Sequence, residues 1–149
     1  PLDLAAAGHS LDRGFNREVY TRMFLRTLKA KTLAKHARGH VQLDVRRLRR
    51  ARTLHEFDGL VTAPLHGFRD ADDYWARASS APWLAHVAVP TLVLNARNDP
   101  FLPAAALERA THRASRHVLL ESPQTGGHVG FPGRRRWLAR RILEFLSET

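Results

Sequence analysis

The chain has 149 residues, 44% of them hydrophobic, which is ordinary for a globular protein and long enough for one compact domain. It has no cysteine and no run of about 18 apolar residues, which excludes disulfides, thiol catalysis, Cys-ligated zinc and a helical membrane span. The formal net charge of +10 sits in one segment: 13 Lys or Arg residues lie between Arg13 and Arg52 against Glu18 and Asp44, whereas 53–149 carries 11 basic and 10 acidic residues.

Residues 1–10 read as a strand exit followed by an Ala-rich turn of helix. Asn16 is a plausible N-cap with Glu18 in the first turn, where a negative charge favours the helix dipole. From Arg17 the spacing Tyr20, Phe24, Leu28, with Val19, Met23, Ala30, Leu33 and Ala34, predicts one long helix with an apolar inner face and a basic outer one. Gly39 is its natural stop. A second helix is expected after Asp44, with Val45, Leu48 and Ala51 inward. Thr53–Phe68 is less regular, with breaks at Ala63-Pro64 and Gly67. Asp70–Ala78 predicts a short helix that packs Tyr74 and Trp75, and Pro82 suits the first turn of another after Ser79-Ser80.

The pattern then changes. Val87–Asn95, rich in β-branched residues, predicts a strand buried on both faces of a parallel sheet. Pro103–Arg109 reads as helix and His117–Glu121 as a second strand. From Pro132 the row Leu138, Ile142, Phe145, Leu146, with Trp137 alongside, predicts a final amphipathic helix. The expected fold class is therefore α/β, helix-rich with few parallel strands, ending in a βαβ unit that is not a complete sheet.

Asp99 falls in Asn95-Ala-Arg-Asn-Asp-Pro-Phe-Leu-Pro103, and Pro100 biases it toward an extended backbone. It sits on a turn at the carboxyl end of the first strand, where open α/β sheets build their sites. A carboxylate there can accept a histidine N–H and stabilise the imidazolium; alone it could equally cap the helix entering at Pro103. His128 lies 29 residues on in Gly126-Gly-His-Val-Gly-Phe131, among glycines that would let the loop turn sharply. Acid then histidine after adjacent strands matches the last two members of a Ser–acid–His triad. None of Ser10, Ser79, Ser80, Ser115, Ser122 or Ser147 sits in a Gly-x-Ser-x-Gly elbow, so the nucleophile is expected outside these residues.

The other histidines show no metal-ligand spacing, so neither a metal nor another cofactor is expected. Arg134-Arg-Arg136 reads as a solvated turn rather than a phosphate site. The basic 13–52 segment could touch anionic membrane surfaces or polyanions. Base-stacking aromatics and nucleic-acid motifs are absent, so no nucleic-acid partner is expected, although a non-catalytic basic module remains the alternative function. No signal-peptide pattern opens the chain, and a cytoplasmic location is expected.

Several stretches resemble the YheT-like branch of the α/β-hydrolases: Pro1-Leu-Asp-Leu, Leu11-Asp-Arg-Gly-Phe15, Phe57-Asp-x-Leu60, Thr62-Ala-Pro-Leu-His-Gly-Phe68, Asp73-Tyr-Trp75 and Pro90-Thr-Leu-Val-Leu-Asn-Ala96. The most specific are Asn98-Asp-Pro-Phe101 and Gly126-Gly-His-Val-Gly-Phe131. The resemblance implies the C-terminal part of a serine carboxylesterase-like hydrolase acting on acyl esters. Asp99 would be its triad acid and His128 its general base, and about 11–83 would form a helical lid-like region before the terminal β-α-β-α of about 87–149. It also implies that the chain's partners are a small-molecule ester and the missing N-terminal half of the same fold, and that the chain alone is inactive.

Overall fold

The computed structural model describes residues 1–131 and 136–148. They divide into two compact units, Leu4–Ser79 and Pro1–Asp3 with Ser80–Thr149. Among the described residues no helix is long and apolar enough to cross a membrane.

The regular elements of the unit Leu4–Ser79 are all helical. Helix α1 is Leu4–Leu11 and α2 runs through 14–37 as Gly14–Asn16, one π turn at Arg17–Thr21, and Arg22–Ala37. Asn16 is not the cap: the chain is extended at Arg13, and Asn16 lies inside the helix with its side chain donating to the Ser10 carbonyl at 3.4 Å. Gly39 ends the helix as expected, at φ 76°, with the His40 N–H reaching back to the Lys35 carbonyl at 3.0 Å.

The inner face of α2 departs from the expected row. Thr21, Leu25 and Thr32 are buried, whereas Val19, Met23 and Leu28 are exposed. The π turn adds a residue to the helical count, and the two threonines neutralise their hydroxyls locally. Thr21 Oγ1 donates to the Leu11 carbonyl at 2.7 Å and Thr32 Oγ1 to that of Leu28 at 2.9 Å. A satisfied hydroxyl can be buried, a possibility that apolar periodicity overlooks.

Helix α3 (Val45–Arg50) starts at Asp44, whose carboxylate accepts the Arg47 N–H at 3.0 Å. Residues 54–65, expected to be irregular, form helix α4 with a π turn at Asp58–Thr62. Thr53 and Glu56 close a capping box at its start, and Asp12 accepts the N–H groups of Leu54 (2.7 Å) and His55 (3.0 Å). Helix α5 (Ala71–Arg77) is capped by Asp70. Leu25, Leu48, Phe57 and Val61 form the core, flanked by Leu33, Leu43, Leu54 and Leu60. Trp75 is buried, and its Nε1 donates to Asp58 at 2.8 Å.

The other unit is a βαβ unit with flanking helices. A short 3-10 helix, Ala81–His86, precedes β1 (Thr91–Leu94); α6 (Ala104–Thr111) crosses over to β2 (Val118–Glu121), and α7 is Trp137–Glu148. The strands are parallel, Thr91 opposite Val118 and Leu94 opposite Glu121. This is the expected helix-rich α/β architecture with few parallel strands.

Strand β1 is shorter than expected and only half-buried. Pro90 has no N–H to donate, so pairing starts with Thr91 N–H to the His117 carbonyl at 2.9 Å. Arg141 of α7 forks onto Glu121 at 2.6–3.1 Å, and that hydrogen-bonded carboxylate holds its guanidinium above the usual range. Ile142 and Leu146, expected to face inward, are exposed, and no residue of α7 is buried. The expected start of this helix at Pro132, and Arg134 and Arg135, lie outside the described residues.

Candidate active site

Asp99 sits just past the carboxyl end of β1, where the chain turns between Asn95 and Leu102. Its own backbone N–H donates to the Ala96 carbonyl at 3.2 Å. Its side chain is fully buried, and every oxygen is used. Oδ1 accepts the N–H groups of Phe101 at 2.8 Å and Leu102 at 3.4 Å; Oδ2 accepts Asn95 Nδ2 at 3.3 Å and faces His128 Nδ1 at 3.0 Å. The competing expectation, that Asp99 caps the following helix, is met only in part. One oxygen ties down the turn ahead of α6, whose cap position is Pro103. The second oxygen is left for the imidazole.

His128 is carried by the loop after β2 and its side chain is half-exposed. A carboxylate only accepts hydrogen bonds, so the 3.0 Å contact places the ring proton on Nδ1. Nε2 is then the basic nitrogen, on the side of the ring away from Asp99. The Phe101 ring packs against the imidazole at 4.5 Å between centroids. Structurally, then, the two residues singled out in the sequence come together at adjacent strand ends.

The glycines around His128 work differently from the expectation. Gly126, Gly127 and Gly130 do not adopt the left-handed conformation. Gly126 is required by close packing instead: a Cβ there would lie 2.7 Å from Ala96 Cβ and 2.7 Å from Phe131 Cδ1. Its N–H donates to Asn98 Oδ1 at 2.8 Å, which ties the histidine loop to the aspartate turn. Asn95, Asn98 and Phe101 were therefore missed as positioning residues, although all three flank Asp99 in the sequence.

Four serine hydroxyls donate to backbone carbonyls: Ser79 to Trp75, Ser80 to Pro1, Ser115 to Val87 and Ser147 to Glu144. A cleft of about 360 Å³ lies in the same unit, lined by Arg97, Leu107, Glu108, Leu120 and Ser122 among others. Neither Asp99 nor His128 contributes to it, and an Arg97–Glu108 ion pair at 2.6 Å crosses its lining. Among the described residues no group of three or more His, Asp or Glu could hold a metal ion.

A helix-rich fold with a small parallel sheet is consistent with part of an α/β-hydrolase, and the comparisons support that relationship. The chain is 35% identical over 154 residues to YheT of Escherichia coli, named as an esterase; the match covers 99% of this chain and 45% of that protein. It is 35% identical over 127 residues to the mouse phospholipase ABHD3, covering 85% of this chain and 31% of that one. It is also 35% identical over 103 residues to the monoacylglycerol lipase of Saccharomyces cerevisiae, covering 67% and 23%. The chain thus spans less than half the length of each of these relatives. No family model and no solved structure matches. Along nearly its whole length, the chain is related to the α/β-hydrolase superfamily.

Proposed function

We propose that this chain supplies the acid and the general base of a serine ester hydrolase acting on acyl esters, with the nucleophilic serine contributed from outside these 149 residues. The observation that carries the reading is the 3.0 Å bond between buried Asp99 and His128 Nδ1. It leaves Nε2 as the base on a half-exposed ring. The relatives named above are, by name, an esterase, a phospholipase and a monoacylglycerol lipase, whose common chemistry is ester cleavage.

In this mechanism His128 Nε2 takes the proton of the serine hydroxyl as its oxygen attacks the ester carbonyl. It then returns that proton to the leaving alkoxide, forming the acyl-enzyme and the free alcohol. Water is activated the same way: Nε2 takes its proton as the oxygen attacks the acyl carbon, then returns it to the departing serine oxygen. That step releases the carboxylic acid and restores the free serine and neutral imidazole. Asp99 stays ionised throughout, holding the ring and stabilising the imidazolium. The chain by itself carries no Gly-x-Ser-x-Gly serine, so it turns over no ester.

The test uses the product of the open reading frame with its upstream codons. It should label with a fluorophosphonate at a Gly-x-Ser-x-Gly serine, and His128→Ala should abolish both labelling and ester hydrolysis. A product whose elbow serine never labels, or ester hydrolysis unchanged by His128→Ala, overturns the reading.

A further inference from the structure

A groove of about 900 Å³ lies between α2 and the end of α3, within the unit Leu4–Ser79, and the proposed ester chemistry makes no use of it. One wall carries Arg22, Arg26 and Lys29, spaced i, i+4 and i+7 on one helical face; Arg49 and Arg50 come from the end of α3, and Arg52 lies two residues beyond it. Arg17 adds a seventh cation, and Glu18 is the one carboxylate in the lining.

Among the described residues none of these arginines forms an ion pair. Glu56, whose charge acts on Lys29, is not part of the lining; its Oε2 accepts the N–H groups of Arg52 at 2.6 Å and Thr53 at 3.2 Å. Lys29 joins the two walls by donating to the carbonyls of Arg49, at 3.0 Å, and Ala51. Burial there pushes its ammonium below the usual lysine range, against the pull of Glu56.

Holding this many like charges together costs the folded state self-repulsion, which an anion between the walls would relieve. The volume is within the usual range of small-molecule sites, about 300–1,000 Å³. Arginine forks match phosphate oxygens in pairs. The lining carries no aromatic residue, so there is no platform for stacking bases. We propose that this groove binds a compact anion bearing several phosphoryl groups, gripped from both sides by Arg22, Arg26, Arg49 and Arg50.

Inorganic tripolyphosphate titrated into the 149-residue chain by calorimetry is the direct test. Binding is expected at 50 mM salt, weaker at 200 mM. It should fall about tenfold or more in R22Q/R26Q and separately in R49Q/R50Q, each checked by circular dichroism for an unchanged helical spectrum. R113Q/R116Q, at exposed positions in the other unit, should bind like the parent. Capture on phosphatidylcholine vesicles doped with a phosphoinositide bisphosphate, reversed by tripolyphosphate, would identify a lipid headgroup as the source. Tripolyphosphate binding without such capture would identify a free phosphate. Absence of binding at 50 mM salt, an equal loss in R113Q/R116Q, or duplex DNA bound more tightly than tripolyphosphate each overturns the proposal.

Discussion

Replacing Gly126 by alanine tests how the histidine loop is held. The added methyl would stand 2.7 Å from Ala96 Cβ and 2.7 Å from a Phe131 ring carbon, against about 3.5–4.0 Å for relaxed carbon contact. Ala96 is fully buried and has no torsion to swing aside, so the loop itself must retreat by about 1 Å. A shift of that size stretches both the 2.8 Å bond from Gly126 N–H to Asn98 and the 3.0 Å bond between His128 and Asp99 beyond hydrogen-bonding range. Overpacking of this kind costs about 1–3 kcal/mol, and each lost bond adds about 0.5–1.5 kcal/mol. Urea unfolding followed by fluorescence should show a lower midpoint with an unchanged slope. If the upstream-extended product hydrolyses esters as proposed, its kcat/KM should drop about 100-fold, the usual penalty for a 1 Å misplacement of a reacting group. Gly127→Ala is the matched control: its Cβ would meet only the Gly130 carbonyl at 3.8 Å, so it should be neutral or slightly stabilising. The reasoning fails if Gly126→Ala unfolds at the parent midpoint and leaves the His128–Asp99 bond intact.

Other perturbations have defined outcomes. Leu48 is fully buried against Leu25, Phe57 and Val61, so Leu48→Ala should destabilise the helical unit by about 2–5 kcal/mol in chemical denaturation. The Arg69 side chain, and then the Asp73 N–H, hold the Asp70 carboxyl below its usual pKa. The folded value is depressed, so the stability Asp70 contributes is fully present above the unfolded value of about 4 and is lost as pH falls through the lower folded one. Asp70→Asn, which keeps a cap acceptor but cannot titrate, should flatten the acid limb of a stability–pH curve, and an unchanged limb would refute this.

The sequence displayed the site more clearly than the frame around it. Asp99 and His128 were legible because strand ends, an X-Pro turn and a glycine-flanked histidine are local signals, and one βαβ unit brings its own loops together. Gly39 was readable for the same reason as a helix stop, and so was the helix start after Asp44. The face of α2 was misread because Thr21 and Thr32 count as polar until their hydroxyls find carbonyls, and because the π turn at Arg17–Thr21 is invisible to a 3.6-residue period. Helix α4 was missed although Thr53-Leu-His-Glu56 spells a capping box; Pro64 and Gly67 outweighed it, and Asp12, 42 residues from Leu54, supplies the rest of the cap. The need for glycine at 126 comes from Ala96 and Phe131, and the exposure of Ile142 and Leu146 from which elements lie beside α7. Neither is written in the local sequence.

The tautomer of His128, read from ¹⁵N shifts of the imidazole in the 149-residue chain near pH 8, probes the proposed catalytic pair without any substrate. Nδ1–H with an unprotonated Nε2 is expected in the parent. In Asp99→Asn the amide oxygen stays with the Phe101 and Leu102 N–H groups, the NH₂ faces the ring, and the proton should move to Nε2. An Nε2–H tautomer in the parent, or a His128 spectrum unchanged by Asp99→Asn, would contradict the pairing on which the hydrolase reading stands.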